Sequence, residues 1–197
     1  MFKNSFVFVF TLLFVASIFA QDTFTVNNDE SKIEWIGRKV TGQHNGTINL
    51  KNGTLQFEGD KLIGGKFEID MTSMVNLDIE DESYKAKLIG HLKSDDFFSV
   101  DKYPVAIFTI THIQKNENTK GHNYFIRGDL TIKGTTHPVE FPAKIGYSKN
   151  KITASASITV DRSKYDVRYG SGSFFKGLGD NLIYDDFNLN VSLIATK

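Results

Sequence analysis

The chain has 197 residues, with 23 basic and 23 acidic side chains, and this balance excludes the strongly basic surface typical of nucleic-acid-binding proteins. It contains no cysteine, which excludes disulfide bonds and a lipid-modified cysteine, so a folded domain must be stabilised by its core alone. Seventeen phenylalanines stand against a single tryptophan, which supplies a large aromatic surface for such a core.

Residues 1–20 have the pattern of a secretory signal peptide. Lys3 precedes an almost wholly apolar run at 6–19, and Ala20 is a suitable cleavage residue that would leave Gln21 at the N-terminus. The run is too short for a comfortable membrane span, so we expect the segment to be removed and the protein to be exported. An uncleaved anchor is the alternative. The remaining chain, 21–197, has the length of one domain.

The first half of this domain is predicted to form strands because apolar and polar residues alternate along it. Asn52-Gly53 has the sequence of a tight hairpin turn. Gly64-Gly65 predicts a bulge or a sharp bend. The predicted strands span 23–26, 32–40, 47–50, 54–58 and 62–72.

The segment 82–93 is predicted to be an α-helix. Asp81 is a suitable N-cap residue. Tyr84, Leu88 and Leu92 recur every four residues, which predicts one apolar face. A single amphipathic helix among antiparallel strands must lay that face on a sheet or over the end of a barrel.

The second half is again predicted to form strands. Tyr124, Ile126 and Leu130 alternate with polar residues and are expected to point inward. Pro138 and Pro142 share the other face of their strand, which predicts an edge or an irregular strand there. The predicted strands span 105–113, 124–133, 137–147, 151–162 and 183–195.

This pattern indicates an all-β domain with one helix. It lacks the regular alternation of strands and helices that is typical of parallel sheets. A two-sheet sandwich and a closed up-and-down barrel both fit the number of strands. Short hairpin connections and strands of about ten residues favour the barrel.

The predicted strand at 151–162 bears on whether the interior of such a barrel is filled. Ala154 and Ala156 lie in the middle of its apolar face, between Ile152 and Ile158. Phenylalanines from neighbouring strands could fill the space beside these small side chains, and this strand taken alone favours that reading. The alternative is a cavity for a long apolar ligand.

The sequence contains no recognisable catalytic or metal centre. The histidines at 44, 91, 112, 122 and 137 form no His-x-His or HExxH pattern. No serine occupies the strained turn of a hydrolase nucleophile, and no glycine-rich loop is placed to hold a phosphate. We therefore expect no catalytic residue, no metal and no cofactor.

Three blocks of sequence stand in order along the domain. They are HLKSDDFF at 91–98 followed by Tyr103-Pro104 and Phe108, GDLTIKG at 128–134 with THPV at 136–139, and DRSKY at 161–165 with the strand at 185–193. Together these blocks closely resemble the YceI-like family. Members of this family are exported bacterial proteins with a lipocalin-like barrel that binds polyisoprenoid lipids.

The resemblance implies an eight-stranded antiparallel lipocalin-like barrel with the amphipathic helix packed against it. It also implies non-catalytic binding, transport or storage of a polyisoprenoid or a similar amphiphile, such as a quinone or prenyl lipid, in the periplasm. Strand parity supplies candidate residues for the tunnel wall, and turns supply candidates for its mouth. The wall candidates are Phe67, Ile69, Phe108, Ile126, Phe141, Ala154, Ala156, Ile158 and Phe187, and the mouth candidates are Phe97, Phe98, Phe174 and Phe175.

The chain departs from the family pattern at one place. Family members often have Phe-Gly after the Asp-Arg-Ser/Thr turn, whereas this chain has Tyr165-Asp166 and then a longer loop at 169–180. This loop is rich in glycine and contains Phe174-Phe175. We expect it to line or close the mouth of the tunnel.

Two other functions fit the same sequence. The barrel could be solid and act through its surface loops as a stress-response or protein-interaction module. It could also be an enzyme that acts on a lipid, with His112 or His137 as the base. In every case we expect no nucleic-acid partner and no stable membrane insertion after removal of the signal peptide. The oligomeric state stays open, with a dimer possible.

Overall fold

The computed structural model describes residues 21–116 and 121–197. The predicted signal peptide lies outside the described residues, so export stays a prediction. No helix in the described part of the chain is long and apolar enough to cross a membrane.

Strands dominate the two described segments, and one α-helix interrupts them. Two short 3-10 turns follow the eighth strand, at Arg162–Tyr165 and Gly179–Asn181. The elements are β1 Gln21–Val26, β2 Lys32–Lys39, β3 Gly42–Glu58, β4 Lys61–Asn76, α1 Glu82–Lys93, β5 Val105–Lys115, β6 Tyr124–Ile132, β7 Thr135–Tyr147, β8 Lys151–Asp161 and β9 Asp186–Thr196.

The strands form one antiparallel sheet that closes on itself. The order is β3-β2-β9-β8-β7-β6-β5-β4, and β4 pairs again with β3, which makes a ring of eight strands. β1 and β2 share one position in this ring, because β2 pairs with β3 at 42–48 and β1 pairs with β3 at 54–58. Both also pair with β9. The predicted eight-stranded antiparallel barrel with one helix is confirmed.

The hairpin predicted at Asn52-Gly53 is wrong. β3 continues through this pair, and its register with β4 shifts between Leu50 and Asn52, so the pair forms a bulge inside a long strand. A Cβ atom at Gly53 would lie 2.7 Å from Cγ2 of Val26, which explains why glycine is needed there. The bulge predicted near Gly64-Gly65 is confirmed by a second register shift, between Gln56 and Phe57 on the partner strand.

β7 is a local edge, as its prolines predicted. It pairs with β6 from Thr135 to Ala143, but with β8 only from Ala143 to Tyr147. Pro138 and Pro142 therefore stand where one side of the strand has no ladder partner, and a missing N–H group need not cost a hydrogen bond there.

Helix α1 has the predicted bounds and the predicted cap. The Asp81 carboxylate accepts hydrogen bonds from the backbone N–H groups of Ser83 and Tyr84, at 2.9 and 3.0 Å. No residue of α1 is fully buried, because the helix lies across one end of the barrel. Leu88 and Leu92 face the barrel interior, whereas Tyr84 is 64% exposed, so the apolar face is shorter than predicted.

Aromatic rings seal the opposite end of the barrel. Phe24 and Phe57 are fully buried, and their ring centroids lie 5.5 Å apart in an edge-to-face arrangement. The Tyr147 ring lies 6.1 Å from Phe24 and 5.2 Å from Phe57. Such ring pairs contribute about 0.5–1.5 kcal/mol beyond the burial of their area.

The only tryptophan, Trp35, packs tightly against β3 at Gly46. The two residues are direct ladder partners, and Trp35 Nε1 donates a hydrogen bond to the carbonyl oxygen of Val75 at 3.2 Å. A Cβ atom at Gly46 would stand 1.8 Å from that oxygen and 2.6 Å from the Trp35 ring. Only glycine allows β2, β3 and β4 to meet in this way.

Replacement of Gly46 by Ala is expected to lower the free energy of unfolding by about 3 kcal/mol or more, because the strands must move apart to admit the methyl group. Gly37→Ala in β2 is the matched control, since a Cβ atom there has nothing within 4 Å and should change stability by less than about 1 kcal/mol. Urea unfolding of both variants measures the difference. Equal stabilities would contradict the close approach.

Candidate functional site

A cavity of about 280 Å³ occupies the barrel interior and opens at the end covered by α1. Its volume lies near the lower end of the range for ligand pockets, about 300–1,000 Å³. Ala154, Ala156 and Ile158 of β8 line this cavity and are only half-buried, because they border empty space. The interpretation that phenylalanines fill the space beside β8 is therefore wrong.

Those phenylalanines lie instead along the wall formed by β4 to β7. The rings of Phe67 and Phe108 stack at 6.3 Å, and those of Phe108 and Phe141 lie 5.6 Å apart. A Cβ atom at Gly128 of β6 would come within 2.4 Å of the Phe108 ring. Glycine at this position lets the ring lie against the wall, which leaves the centre of the barrel open.

Most of the residues proposed from the sequence meet at this cavity. Whether they bind a lipid stays a prediction. The candidates that line it are Phe67, Ile69, Phe97, Phe98, Phe108, Ile126, Phe141, Ala154, Ala156, Ile158 and Phe187.

Phe174 and Phe175 are not among the residues that line the cavity. They are 42% and 49% exposed, and the Phe174 ring packs under the guanidinium group of Arg168 at 5.0 Å. The loop after the first 3-10 turn reaches the cavity through Ile183 and Tyr184 instead, which corrects the expected position of the two phenylalanines.

Helix α1 and the turn after it cover the mouth of the cavity. The His91 ring contacts the rings of Phe97 and Tyr169 edge to face, with centroids 5.7 and 4.3 Å apart. The Phe98 ring lies 6.4 Å from that of Phe187. His91 thus connects the helix to the long loop, and Phe98 connects the turn to β9.

The end of β2 also contributes to the mouth, which the sequence reasoning missed. Lys39 forms an isolated β-bridge with Ile183, and the backbone N–H of Tyr184 donates to the carbonyl oxygen of Arg38 at 3.0 Å. The sequence did contain one indication of this. Side chains alternate between the two faces of a strand, so Lys39 lies on the same inner face of β2 as Trp35. No sequence pattern indicated that Ile183 in the loop would be its partner.

Arg162 is a buried cation at the mouth, only 2% exposed. Its Nε donates to the carbonyl oxygen of Tyr184 at 3.2 Å, Nη1 to that of Val167 at 2.7 Å, and Nη2 to that of Ile183 at 3.0 Å. The guanidinium group also stacks over the Phe97 ring at 5.2 Å. One side chain therefore holds together the two ends of the loop and the turn after α1.

Asp185 balances the charge of Arg162. Burial lowers the pKa of the Arg162 guanidinium below its usual value, and the nearby Asp185 carboxylate opposes this shift. Asp185 Oδ1 lies 3.5 Å from Arg162 Nη2 and has no hydrogen-bond partner, while Oδ2 accepts a hydrogen bond from the Ser173 hydroxyl at 2.6 Å. The arginine remains charged, because no protein environment deprotonates it at physiological pH.

Tyr165 and Asp166, which stand where Phe-Gly was expected from the family resemblance, each adopt an unfavourable arrangement. The Tyr165 hydroxyl is buried without a hydrogen-bond partner, and burial raises its pKa to about 12. Asp166 has φ of 58°, in the left-handed region that glycine adopts without strain. Both positions therefore carry a local cost that Phe-Gly would avoid.

A hydrogen-bonded pair lies at the β3 side of the mouth. His44 Nδ1 lies 2.8 Å from Asp78 Oδ2, and Asp78 Oδ1 accepts from the Asn45 backbone N–H at 2.8 Å and the Asn76 amide at 2.6 Å. Partial burial acts to raise the pKa of Asp78, but these hydrogen bonds outweigh it and hold the pKa below its usual value. The carboxylate is thus fully engaged within the protein.

His112 and His137 do not line the cavity. The register with β6 shifts between Ile110 and His112, and the histidine is exposed. His137 is half-buried, with its ring edge to face on Tyr165 at 5.4 Å. Within 21–116 and 121–197, no three His, Asp or Glu side chains are grouped so that they could hold a metal ion.

Replacement of Arg162 by Met is expected to lower the free energy of unfolding by about 3–5 kcal/mol, because Asp185 loses its counter-charge and buried carbonyls lose their donor. Arg168→Met is the matched control. Arg168 forms an exposed ion pair with Asp166, so its loss should cost about 0–1 kcal/mol. Urea unfolding compares the variants, and hydrogen exchange at 166–185 reports opening of the loop. Similar losses in both would contradict the role given to Arg162.

Replacement of Tyr165 by Phe is expected to raise the free energy of unfolding by about 1 kcal/mol, because a buried hydroxyl without a partner is removed. The folded-state pKa of about 12 exceeds the usual value of 10.0. The wild-type protein therefore loses stability as the pH rises from 10.0 toward 12, and the advantage of the variant should grow over that range. Tyr103→Phe, at a partly exposed ring, is the control; an equal gain there would refute the explanation.

The sequence matches the YceI-like domain family over residues 24–195. Protein YceI of Escherichia coli is 34% identical over 100 residues, which cover 51% of this chain and 48% of that protein. A UPF0312 protein of Pectobacterium atrosepticum is 33% identical over 100 residues, covering 51% of this chain and 47% of that protein. The matched part thus spans about half the length of these curated relatives.

Solved structures share the fold. BcnA of Burkholderia cenocepacia has a TM-score of 0.67 at 23% identity, over 87% of this chain and 99% of that one. A polyisoprenoid binding domain from Saccharophagus degradans has a TM-score of 0.57 at 12% identity, over 88% and 97%. The YCEI protein of Campylobacter jejuni has a TM-score of 0.55 at 20% identity, over 98% and 93%. The family match covers most of the domain, and the three sequence blocks predicted it. The chain therefore belongs to the YceI-like family.

Proposed function

We propose that the protein binds a long apolar chain of the polyisoprenoid type in its barrel cavity, and that it carries or stores this lipid without converting it. The observation that supports this most strongly is the hollow interior of the barrel. Its wall is almost wholly apolar, it opens below α1, and the rings of Phe24 and Phe57 seal the other end.

Burial of the chain would supply most of the binding free energy. Each buried CH₂ group contributes about 0.8 kcal/mol, so each isoprene unit contributes roughly 3–4 kcal/mol before the costs of ordering. A compact polar molecule would leave its polar groups without partners along the same wall. A flexible apolar chain is therefore the ligand class that suits this interior.

The solved relative from Saccharophagus degradans, described as a polyisoprenoid binding domain, supports this class of ligand. Quinones and prenyl lipids both belong to this class of ligand. The proposal includes export of the domain at 21–197 after removal of the signal peptide, with the periplasm as its place of action.

The other hypotheses have less support. A solid barrel that acts only through its surface does not need the hollow seen beside Ala154 and Ala156. An enzyme that uses His112 or His137 as its base would need that residue at the lipid, and neither lines the cavity. Binding without catalysis is the simpler account of an apolar interior.

Replacement of Ala156 by Phe tests the proposal, because the new ring would enter the cavity in place of the ligand. We expect the variant to fold with a free energy of unfolding within about 1 kcal/mol of the wild type, while its affinity for farnesol falls about tenfold or more. Ser157→Phe is the matched control, since Ser157 is exposed on the outer face of the same strand.

Native mass spectrometry of the three proteins, purified from their own host, provides the second measurement. The wild type and Ser157→Phe should carry a lipid, and Ala156→Phe should be largely empty. A wild-type protein that remains empty and binds no farnesol would refute the proposal. Unchanged farnesol affinity in a folded Ala156→Phe variant would show that the ligand lies elsewhere.

A further inference from the structure

Basic side chains, and no acidic ones, border the cavity. The lining residues include Arg38, Lys39, Arg162, His44 and His91, and no Asp or Glu is among them. The chain as a whole has equal numbers of basic and acidic residues. The side chains that border the cavity thus include several basic groups and no acidic one, within a protein of balanced charge.

The two arginines are already engaged with the protein. The guanidinium group of Arg162 donates to three backbone carbonyls and lies beside Asp185. Arg38 donates from Nη1 to the side-chain oxygen of Asn188, whose amide nitrogen in turn donates to Thr159. Both arginines therefore stabilise the rim, and neither is free to hold a ligand with its full set of donors.

Lys39 differs from them. Its side chain is exposed and has no hydrogen bond or ion pair among the described residues. Its backbone bridges to Ile183, the residue whose carbonyl oxygen accepts a hydrogen bond from Arg162. Lys39 and Arg162 therefore both adjoin Ile183 at the mouth, Lys39 through its backbone and Arg162 through its guanidinium group.

Two carboxylates at the mouth, Asp78 and Asp185, have other partners. Asp78 is bound by His44 and by backbone and amide donors. Asp185 accepts a hydrogen bond from Ser173 and faces Arg162. Among the described residues Lys39 forms no ion pair, although it borders an apolar cavity.

We propose that the ligand carries an anionic group, a carboxylate or a phosphate, at the end of its apolar chain, and that Lys39 holds this group at the mouth. The inference rests on the proposed function, because the apolar chain must first occupy the cavity. Hydrogen bonds between an ammonium group and an anion are about twice as strong as neutral ones. A neutral alcohol or quinone head group would leave the Lys39 ammonium group without an anionic partner.

The test compares pairs of ligands that share an apolar chain and differ in having a neutral or an anionic head group: farnesol with farnesyl phosphate, and hexadecanol with hexadecanoate. Each displaces the neutral fluorescent probe N-phenyl-1-naphthylamine from the full mature protein. We expect the anionic member of a pair to bind about tenfold more tightly. In Lys39→Gln this preference, measured as the ratio of the two affinities within a pair, should fall to about threefold or less. Lys39→Arg keeps the charge and should keep the preference.

Lys61→Gln is the matched control, because it removes the same charge from the exposed first residue of β4, at the sealed end of the barrel. Its preference for the anionic ligands should equal that of the wild type. An equal loss of preference in Lys39→Gln and Lys61→Gln would overturn the role of Lys39. Thermal unfolding confirms that each variant is folded.

The remaining outcomes separate this inference from the proposed function. Equal affinities within both pairs would overturn the anionic head group and leave lipid binding intact. Failure of all four ligands to displace the probe would overturn lipid binding itself. Displacement of the probe by inorganic phosphate alone would indicate an ion site independent of the chain, and it would also overturn the inference.

Discussion

The interior of an eight-stranded barrel is just wide enough for side chains to fill, and the rest of this structure depends on its being left hollow. Ala154 and Ala156 present little volume on one side, and Gly128 lets the Phe108 ring lie against the wall on the other. A void forfeits the dispersion contacts that a filled core would provide. Stability must therefore come from the closed ladder of strands and from the two ends of the barrel.

The two ends are stabilised by different interactions. Rings around Phe24 and Phe57 fill the sealed end in the manner of an ordinary core. The open end cannot be filled without blocking access, and there Arg162 joins the loop to the turn after α1 through hydrogen bonds and the Phe97 ring. A buried arginine is costly to desolvate, so it suits a place where polar backbone groups must be gathered without filling the space between them. This explains how the mouth can be ordered and still open.

Features that depend on near neighbours in the sequence could be predicted. The cap at Asp81 and the strand parity from Tyr124 to Ile132 follow local patterns. Short hairpins and strand lengths favoured the barrel, and the family resemblance implied it. Long-range pairing decided the rest. Asn52-Gly53 has a turn sequence, but pairing with β4 along the whole strand makes it a bulge. His112 is exposed beside a register shift that no local pattern marks, and the long loop reaches the cavity through Ile183 because that residue pairs with the end of β2.

The wall and the mouth have different consequences for ligand choice. Apolar burial is not directional, so the wall can select the width and length of a chain but little else. Discrimination between chains of equal length must come from the mouth, where the loop after Arg162 lies beside the cavity. The unpaired Tyr165 hydroxyl and the left-handed Asp166 place local costs at the base of this loop, while Lys39 meets its far end at Ile183. The head group of the ligand, more than its chain, is therefore what we expect the mouth to select.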